Sequence, residues 1–285
     1  MREEIIKIAN QNRIEKIGFI KARVFEEISD TLSSDTPFVS KNIEDRINPF
    51  LIMPNAKSII VCLFPYNQAE KDGNISIYAI GEDYHNAVLR RLEPIKAHLL
   101  EKGHMAECFL DTDKLPERYL AYLAGLGFIG RNSSLINEDL GSFCFIGYIL
   151  TDMECEYDSP TQKTCQNCGK CVTHCPGSAI GETKVNPYLC ASYITQKKAS
   201  LTDLERQIIK KSGYAWGCDI CQRVCPHNNG VPHTNIPEFK ENPILNLTPD
   251  MAESNNDFKK KFGDRAFSWR GFSVIKRNLE ILKEE

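Results

Sequence analysis

The chain has 285 residues, 42% hydrophobic and 26% charged, with a formal net charge of −3. That length allows two domains or one large one, and so mild a charge neither demands nor excludes a nucleic-acid partner, for which a local basic face is what counts. Twelve cysteines would suggest disulfides in a small secreted chain, but MREEIIKIANQNRIEKIGFI has no apolar signal core and no twin arginine, and no run of about 18 apolar residues occurs. A reducing cytoplasm, no membrane span and cysteines kept for metal are therefore expected.

In chain order, Ile5, Ile6, Ile8 and Ala9 recur with helical spacing up to about Asn12, which predicts an amphipathic helix. IGFIKA (17–22) reads as a short strand. Residues 26–50 are polar and read as loop plus short helix. KSIIVCLFPY (57–66) predicts a buried strand, and 67–74 a loop. Asp83 to Gly103 reads as helix, with Leu89, Leu92, Ile95, Leu99 and Leu100 along one face and Gly103 just past its end. Ala106 to Leu110 is a strand. Pro116 suits the first turn of a helix reaching about Leu126. SFCFIGYILT (142–151) is the strand that ends this half.

Two short motifs in this half mislead. GLGFIG (125–130) fits G-x-G-x-x-G, but a helix precedes it where the dinucleotide fingerprint needs a strand. Its glycines read instead as a turn that lets backbone approach a ligand closely. Asp83-Tyr84-His85 resembles the start of a D-x-H-x-x-G corrinoid loop that has lost its glycine. His85 is therefore not assigned as a metal ligand; a lone histidine near a helix start is more often a hydrogen-bonded structural group.

A composition shift over 154–164, with Asp158, Ser159 and Pro160 linker-like, marks a boundary. CQNCGKCVTHCP (165–176) then gives C-x2-C-x2-C-x3-C-P, and CDICQRVCP (218–226) gives C-x2-C-x3-C-P. With the single Cys190 between them they supply eight cysteines, enough for two [4Fe–4S] cubanes. In the bacterial ferredoxin pattern the fourth Cys of a run ligates the other cluster. Cys165, Cys168, Cys171 and Cys225 are assigned to one cluster; Cys218, Cys221, Cys175 and Cys190 to the other. The second run has lost its first or middle Cys, and Cys190 makes up the number. Structural zinc also uses C-x-x-C pairs but rarely three cysteines spaced two apart before Cys-Pro. Residues 188–213 read as a helical insertion between the runs, 227–249 as a Pro- and Asn-rich tail over the surface, and 258–283 as a basic helix. Two clusters make a short electron wire, so the first half should hold a second cofactor or a substrate.

Several segments together resemble the epoxyqueuosine reductase family: IEDRINPFLIMPNAKSIIV (43–61), GEDYH (81–85), FLDTDKLPERYLAYLAGLGFIGRNSSLI (109–136), GSFCFIGYILTD (141–152), both cysteine runs, CASYITQ (190–196), YAWGCDICQRVCP (214–226) and FSWRG (267–271). The resemblance implies an α+β chain: a mixed α/β cobalamin-binding catalytic domain (1–157), a bacterial-ferredoxin-like two-[4Fe–4S] domain with helical insertions (158–250), and a helical tail (251–285). It implies reduction of epoxyqueuosine to queuosine at the wobble position of tRNA by cobalamin, itself reduced through the clusters. Asp111 matches the family's general acid, since oxygen is a poor leaving group without a proton; burial beside a corrin face would raise its pKa. The alternative for Asp111 is a turn cap after a strand. Arg46, Tyr84, His85, Leu135, Ile146, Ser192, Asp219 and Ile220 match cofactor-contacting positions. An external low-potential donor such as ferredoxin or flavodoxin and a monomeric state are expected.

The related reductive dehalogenases share the plan of cobalamin and two clusters but usually carry a twin-Arg signal. The chain departs from longer family members in lacking C-terminal helical repeats, and in GRN at Gly130-Arg131-Asn132 where the family has GKN. A cobalamin and iron–sulfur reductase of another small substrate, and a ferredoxin-like carrier without catalysis, are the competing functions.

Overall fold

The computed structural model describes residues 1–68, 72–111, 114–182 and 184–284. Helix α1 (Arg2–Gln11) leads into β1 (Lys16–Lys21); the short α2 (Ile43–Ile47) precedes β2 (Ser58–Pro65). Then come α3 (Tyr84–Glu101), β3 (Ala106–Leu110), α4 (Glu117–Leu123), a small hairpin of β4 (Phe128–Ile129) and β5 (Leu135–Ile136), and β6 (Cys144–Thr151). The main sheet has the order β1-β2-β6-β3, with every neighbouring pair antiparallel.

The sequence SIIVCLFP explains the central place of β2. It is apolar on both faces, as a strand covered on both sides must be. Ile60, Cys62 and Phe64 enter one core with Ile149, while Ile59, Val61 and Leu63 enter the other with Ile146, Tyr148 and Leu150. This is the two-residue alternation of a strand, and each such side chain contributes about 1.5–3 kcal/mol on burial. The first core takes α1 and α3, through Ile5, Ala9, Val88, Leu92, Ile95 and Leu99. The second takes Phe25, Ile47, Leu120, Ala121 and Ala124.

In α3 the buried face is Ala87, Val88, Leu92, Ile95 and Leu99, whereas Leu89 and Leu100 are exposed. Each of those two leucines lies one residue, hence about 100°, from a buried neighbour, Val88 and Leu99. The glycines of 125–130 also differ from expectation. Gly125 has φ +70, and a Cβ there would lie 2.6 Å from the Ser159 carbonyl oxygen; one at Gly127 would lie 2.4 Å from that of Ile136. The close approach is to the chain's own backbone. A helix precedes this segment and a strand follows it, the reverse of a dinucleotide turn.

The cysteine runs carry two single-turn helices that pack together, α5 (Lys170–Thr173) and α8 (Ile220–Arg223). Between them α6 (Ala191–Ile194) and α7 (Asp203–Ser212) form a small core with Ile281. Thr202 and Glu205 make a capping box at the start of α7, and Gly213 ends it with φ +73.

The segment 227–249 does not simply lie over the surface. Ile236, Phe239 (in α9, Pro237–Lys240) and Leu247 are buried in the first core with Trp216. The stretch 258–283 is not one helix: α10 (Asn255–Phe262) and α11 (Phe272–Lys283) are separated by a 3-10 turn and by Gly271 at φ +86. Three polar side chains tie the cysteine-bearing part to the rest of the chain, Asp219 and Asn228 to the sheet part and Asn278 to α11. Asp219 accepts hydrogen bonds from the Ser76 hydroxyl and from the Ile77 N–H at 2.8 Å. Asn278 Nδ2 donates to the carbonyls of Thr195 and Ala215 at 2.7 and 2.9 Å. Asn228 Nδ2 donates to the Ser142 hydroxyl at 2.9 Å. Among the described residues no helix is long and apolar enough to cross a membrane.

Candidate redox centre and active site

All twelve thiols are free. Cys171 lies in α5 and Cys221 in α8. Superposing these helical turns in sequence pairs Cys168 with Cys218 and Cys175 with Cys225, so it is the counterpart of Cys165 that the second run lacks. The thiols fall into two electrostatic sets. Cys171 feels Cys165 and Cys168, and Cys225 feels all three. Cys190 feels Cys175, Cys218 feels Cys221 and Cys190, and Cys221 feels Cys190 and Cys175.

The first four surround a cavity also lined by Arg131, Asn132, Gly169 and His227. His227 Nε2 is buried there without a hydrogen-bond partner. Buried donors seldom stay unsatisfied, and an inorganic cluster offers sulfide acceptors. Among the described residues no three Cys, His, Asp or Glu side chains converge as a single metal ion needs. Thiols around a cavity suit a cubane better than zinc. Cys168 is exposed, whereas burial raises the pKa of Cys190 and raises that of Cys221 to about 12. Of the eight, Cys168 of the first set is exposed and the other seven are partly buried.

The second group of residues gathers where β3 meets the start of α3. After Leu110 the chain turns through Asp111 at φ +55, a left-handed conformation that Asp tolerates better than most residues. Its carboxylate accepts from the Tyr84 hydroxyl, and Oδ2 lies 3.4 Å from His85 Nε2. The other ring nitrogen of His85 is 2.8 Å from Asp83 Oδ1, the oxygen that also caps α3 by accepting from the His85 N–H at 3.0 Å. The Tyr84 ring is stacked between His85, 4.2 Å away, and Phe145, 4.3 Å away.

Burial works against charge on His85, but its hydrogen bonds to Asp111 and Asp83 outweigh it and raise the pKa to about 9. Burial also pushes Asp111 upward, yet the hydrogen bonds from His85 and Tyr84 win and hold its carboxyl below the usual value. Burial thus acts in the expected direction on Asp111, and its two hydrogen bonds reverse the sign. Tyr84 is raised well above an ordinary phenol, by burial and then by the Asp111 charge.

Sequence reasoning missed three neighbours of Asp111. Burial raises the pKa of Glu117, and Asp111 adds to that effect against Arg118 and Arg46. The Arg118 guanidinium lowers the pKa of Asp111, and it donates to the Ser133 carbonyl at 2.9 Å. Phe145 supplies the stacking partner of Tyr84. LPER and SFCF were both visible in the sequence, but nothing in the spacing marked these residues.

The other candidates are scattered around these two centres. Arg46 is buried, not a surface arginine, and donates to the Ser33 carbonyl at 2.8 Å. Leu135 and Ile146 are buried in the second core. Ser192 follows Cys190 in α6, its carbonyl accepting from Gln196 Nε2 at 2.9 Å. Asp219 is fully buried as the tie to Ser76 and Ile77, and Ile220 opens α8 beside it.

Two sets of four thiols beside a carboxylate–imidazole–phenol group in one chain fit an iron–sulfur oxidoreductase. Residues 164–228 match the family model of a 4Fe-4S double cluster binding domain, and residues 46–112 that of "Epoxyqueuosine reductase QueG, DUF1730". Epoxyqueuosine reductase of Lactococcus garvieae is 36% identical over 98% of this chain and 85% of its own length. That of Bacillus subtilis is 33% identical over 98% of this chain and 77% of its own. A crystal structure of epoxyqueuosine reductase with an epoxyqueuosine-modified tRNA-Tyr stem loop superposes with a TM-score of 0.90 at 31% identity, covering 99% of this chain and 80% of that one. A catabolic reductive dehalogenase shares the fold alone, at TM-score 0.53 and 16% identity over 80% of this chain and 32% of its own. The chain belongs to the epoxyqueuosine reductase family.

Proposed function

We infer that this chain reduces epoxyqueuosine to queuosine at the wobble position of tRNA. The reading is carried by the match to epoxyqueuosine reductases along nearly its whole length, one of them solved with the modified stem loop. The net reaction takes two electrons and two protons, turns the epoxide into an alkene and releases its oxygen as water.

Cys165, Cys168, Cys171 and Cys225 would hold the outer [4Fe–4S] cluster, and Cys175, Cys190, Cys218 and Cys221 the inner one. The exposure of Cys168 supports entry of electrons there from a low-potential carrier such as ferredoxin or flavodoxin. Cobalamin, when bound, would supply low-potential cobalt redox chemistry for the two-electron reduction. A guanidinium suits its amides and phosphate, so Arg46 is a candidate contact, with Tyr84, Leu135, Ile146, Ser192, Asp219 and Ile220. His85 is not a candidate cobalt ligand, because both its ring nitrogens face carboxylates.

Asp111 is assigned as the group that hands a proton to the departing oxygen. His85 Nε2, 3.4 Å from Asp111 Oδ2, is placed to return a proton to it, and the Tyr84 hydroxyl fixes the carboxylate. A Bacillus subtilis epoxyqueuosine reductase has been solved with its catalytic aspartate loop swung out of the active site, which supports an aspartate in this role. A pure electron carrier would have no use for this arrangement. Work as a monomer in the cytoplasm completes the reading. The test is nucleoside analysis of epoxyqueuosine-containing tRNA incubated with reduced, cobalamin-loaded protein. Queuosine should appear; unchanged substrate with both clusters intact would overturn the assignment.

A further inference from the structure

Three segments distant in sequence bring aromatic rings to one exposed patch. Phe38 comes from the loop before α2, Tyr188 and Tyr193 from the turn into α6, and Trp269 from FSWRG. The Phe38 ring is 5.5 Å from Tyr193 and 5.6 Å from Trp269, and Tyr188 is 5.4 Å from Tyr193. Phe38, Tyr188 and Trp269 are 40%, 39% and 50% exposed. Phe38 also holds φ +68, costly for a bulky residue and of a kind that clusters at functional sites.

Arg270 completes the patch. Its guanidinium carbon lies 3.6 Å from the Trp269 ring centre and 5.0 Å from that of Phe38. Its Nε is buried without a hydrogen-bond partner. Arg277 buttresses the adjoining turn by donating to the carbonyls of Lys197 and Ala199 at 2.8 and 3.1 Å, and Lys198 on that turn is exposed.

We propose that Phe38, Tyr193, Trp269 and Arg270 form a stacking platform for an unpaired base of the anticodon loop next to the wobble nucleotide. Aromatic faces with an interleaved arginine hold single-stranded nucleic acid through base stacking and phosphate contact. The patch also adjoins the cysteine-bearing stretch: Tyr193 lies in α6, the helix whose first turn Cys190 opens. A base drawn out of a loop to reach Asp111 leaves its neighbours unstacked, and their faces then need a new partner. The proposal rests on the reading of the substrate given above.

The test uses cluster- and cobalamin-loaded protein and an anticodon stem loop carrying epoxyqueuosine. The chain has two tryptophans, and Trp216 is fully buried, so quenching of exposed-tryptophan emission reports on Trp269. Binding should quench that emission. Trp269→Ala and Arg270→Gln should each raise Kd by roughly 10- to 100-fold, the weight of one stacked base, with iron and cobalamin content at the wild-type level. Trp269→Phe should abolish the quenching and keep most of the affinity. Arg270→Gln leaves every ring in place, so it serves even if the alanine variant misfolds. Unchanged affinity in both variants would overturn the platform, as would loss of cobalamin with RNA affinity intact, which would assign the patch to the cofactor. Wild-type protein that neither binds nor reduces the stem loop would instead sink the substrate assignment itself.

Discussion

Replacing Asp111 by Asn separates catalysis from capping. Asn tolerates the left-handed conformation at φ +55 as well as Asp does, so the turn should survive while the charge and the transferable proton are lost. His85 Nε2 lies 3.4 Å from Asp111 Oδ2; at an effective dielectric of 20 that separation corresponds to about 5 kcal/mol. The two side chains are 41% and 43% exposed, so screening brings the value down to about 1 kcal/mol. That is a fall of roughly one pH unit in the His85 titration, from about 9, with Asp83 still holding the other nitrogen. Histidine NMR of the cofactor-free protein reads this directly.

The folded pKa of His85 exceeds the ~6.5 of an unfolded histidine. The contribution of charged His85 is therefore fully present below about pH 6.5, as long as Asp111 stays ionised, and disappears as pH rises through about 9. Denaturation midpoints of the wild type should show this loss, and those of Asp111→Asn should show less of it. Turnover of epoxyqueuosine-containing tRNA should fall by roughly 10²–10⁴. A variant that turns over at the wild-type rate with an unmoved His85 titration would refute the role. A stability loss of about 0.5–2 kcal/mol with normal turnover in the folded fraction would identify a mere cap.

Anaerobically purified protein should contain about eight iron and eight sulfide per chain. Cys190→Ser should halve the iron while leaving the spectrum of the outer cluster, and zinc in place of iron would end the cluster assignment. Asp219→Ala should strip the Ser76 hydroxyl and Ile77 N–H of their buried acceptor. A loss of about 2–4 kcal/mol is expected from two unsatisfied buried donors. Urea titration of the cluster-free protein measures it, and a change under about 0.5 kcal/mol, the surface-substitution range, would deny Asp219 its tying role.

Much of this was legible in the sequence where a single local rule decides. The apolar run of β2, the Pro116 helix start and the two cysteine runs each declare themselves within a dozen residues. What stayed hidden depends on contacts between distant segments. The exposure of Leu89 and Leu100 follows from which way α3 rolls on the sheet. Burial of Phe239 and Leu247 follows from a return path that polar, Pro-rich composition conceals. The pKa direction of Asp111 depended on His85 and Tyr84, which lie 26 and 27 residues earlier and meet it only because β3 ends beside the first turn of α3. Glu117 and Arg118 were part of a recognised segment, but only the fold shows that they share a field with Asp111.

The return of the chain into its first core has a consequence for how the protein ages. Ile236, Phe258 and Leu279 pack with Ile5 and Ile60, so the cysteine-bearing stretch is clamped at both ends by one apolar layer and does not hang from a tether. The gap an electron must cross is then set by packed side chains and holds steady while the fold lasts. Oxidative loss of a cluster would loosen α5 and α8 and, through Asp219 and Asn278, pull on that same layer. A chain that can no longer deliver electrons should thereby also unfold at lower urea than the cluster-loaded protein.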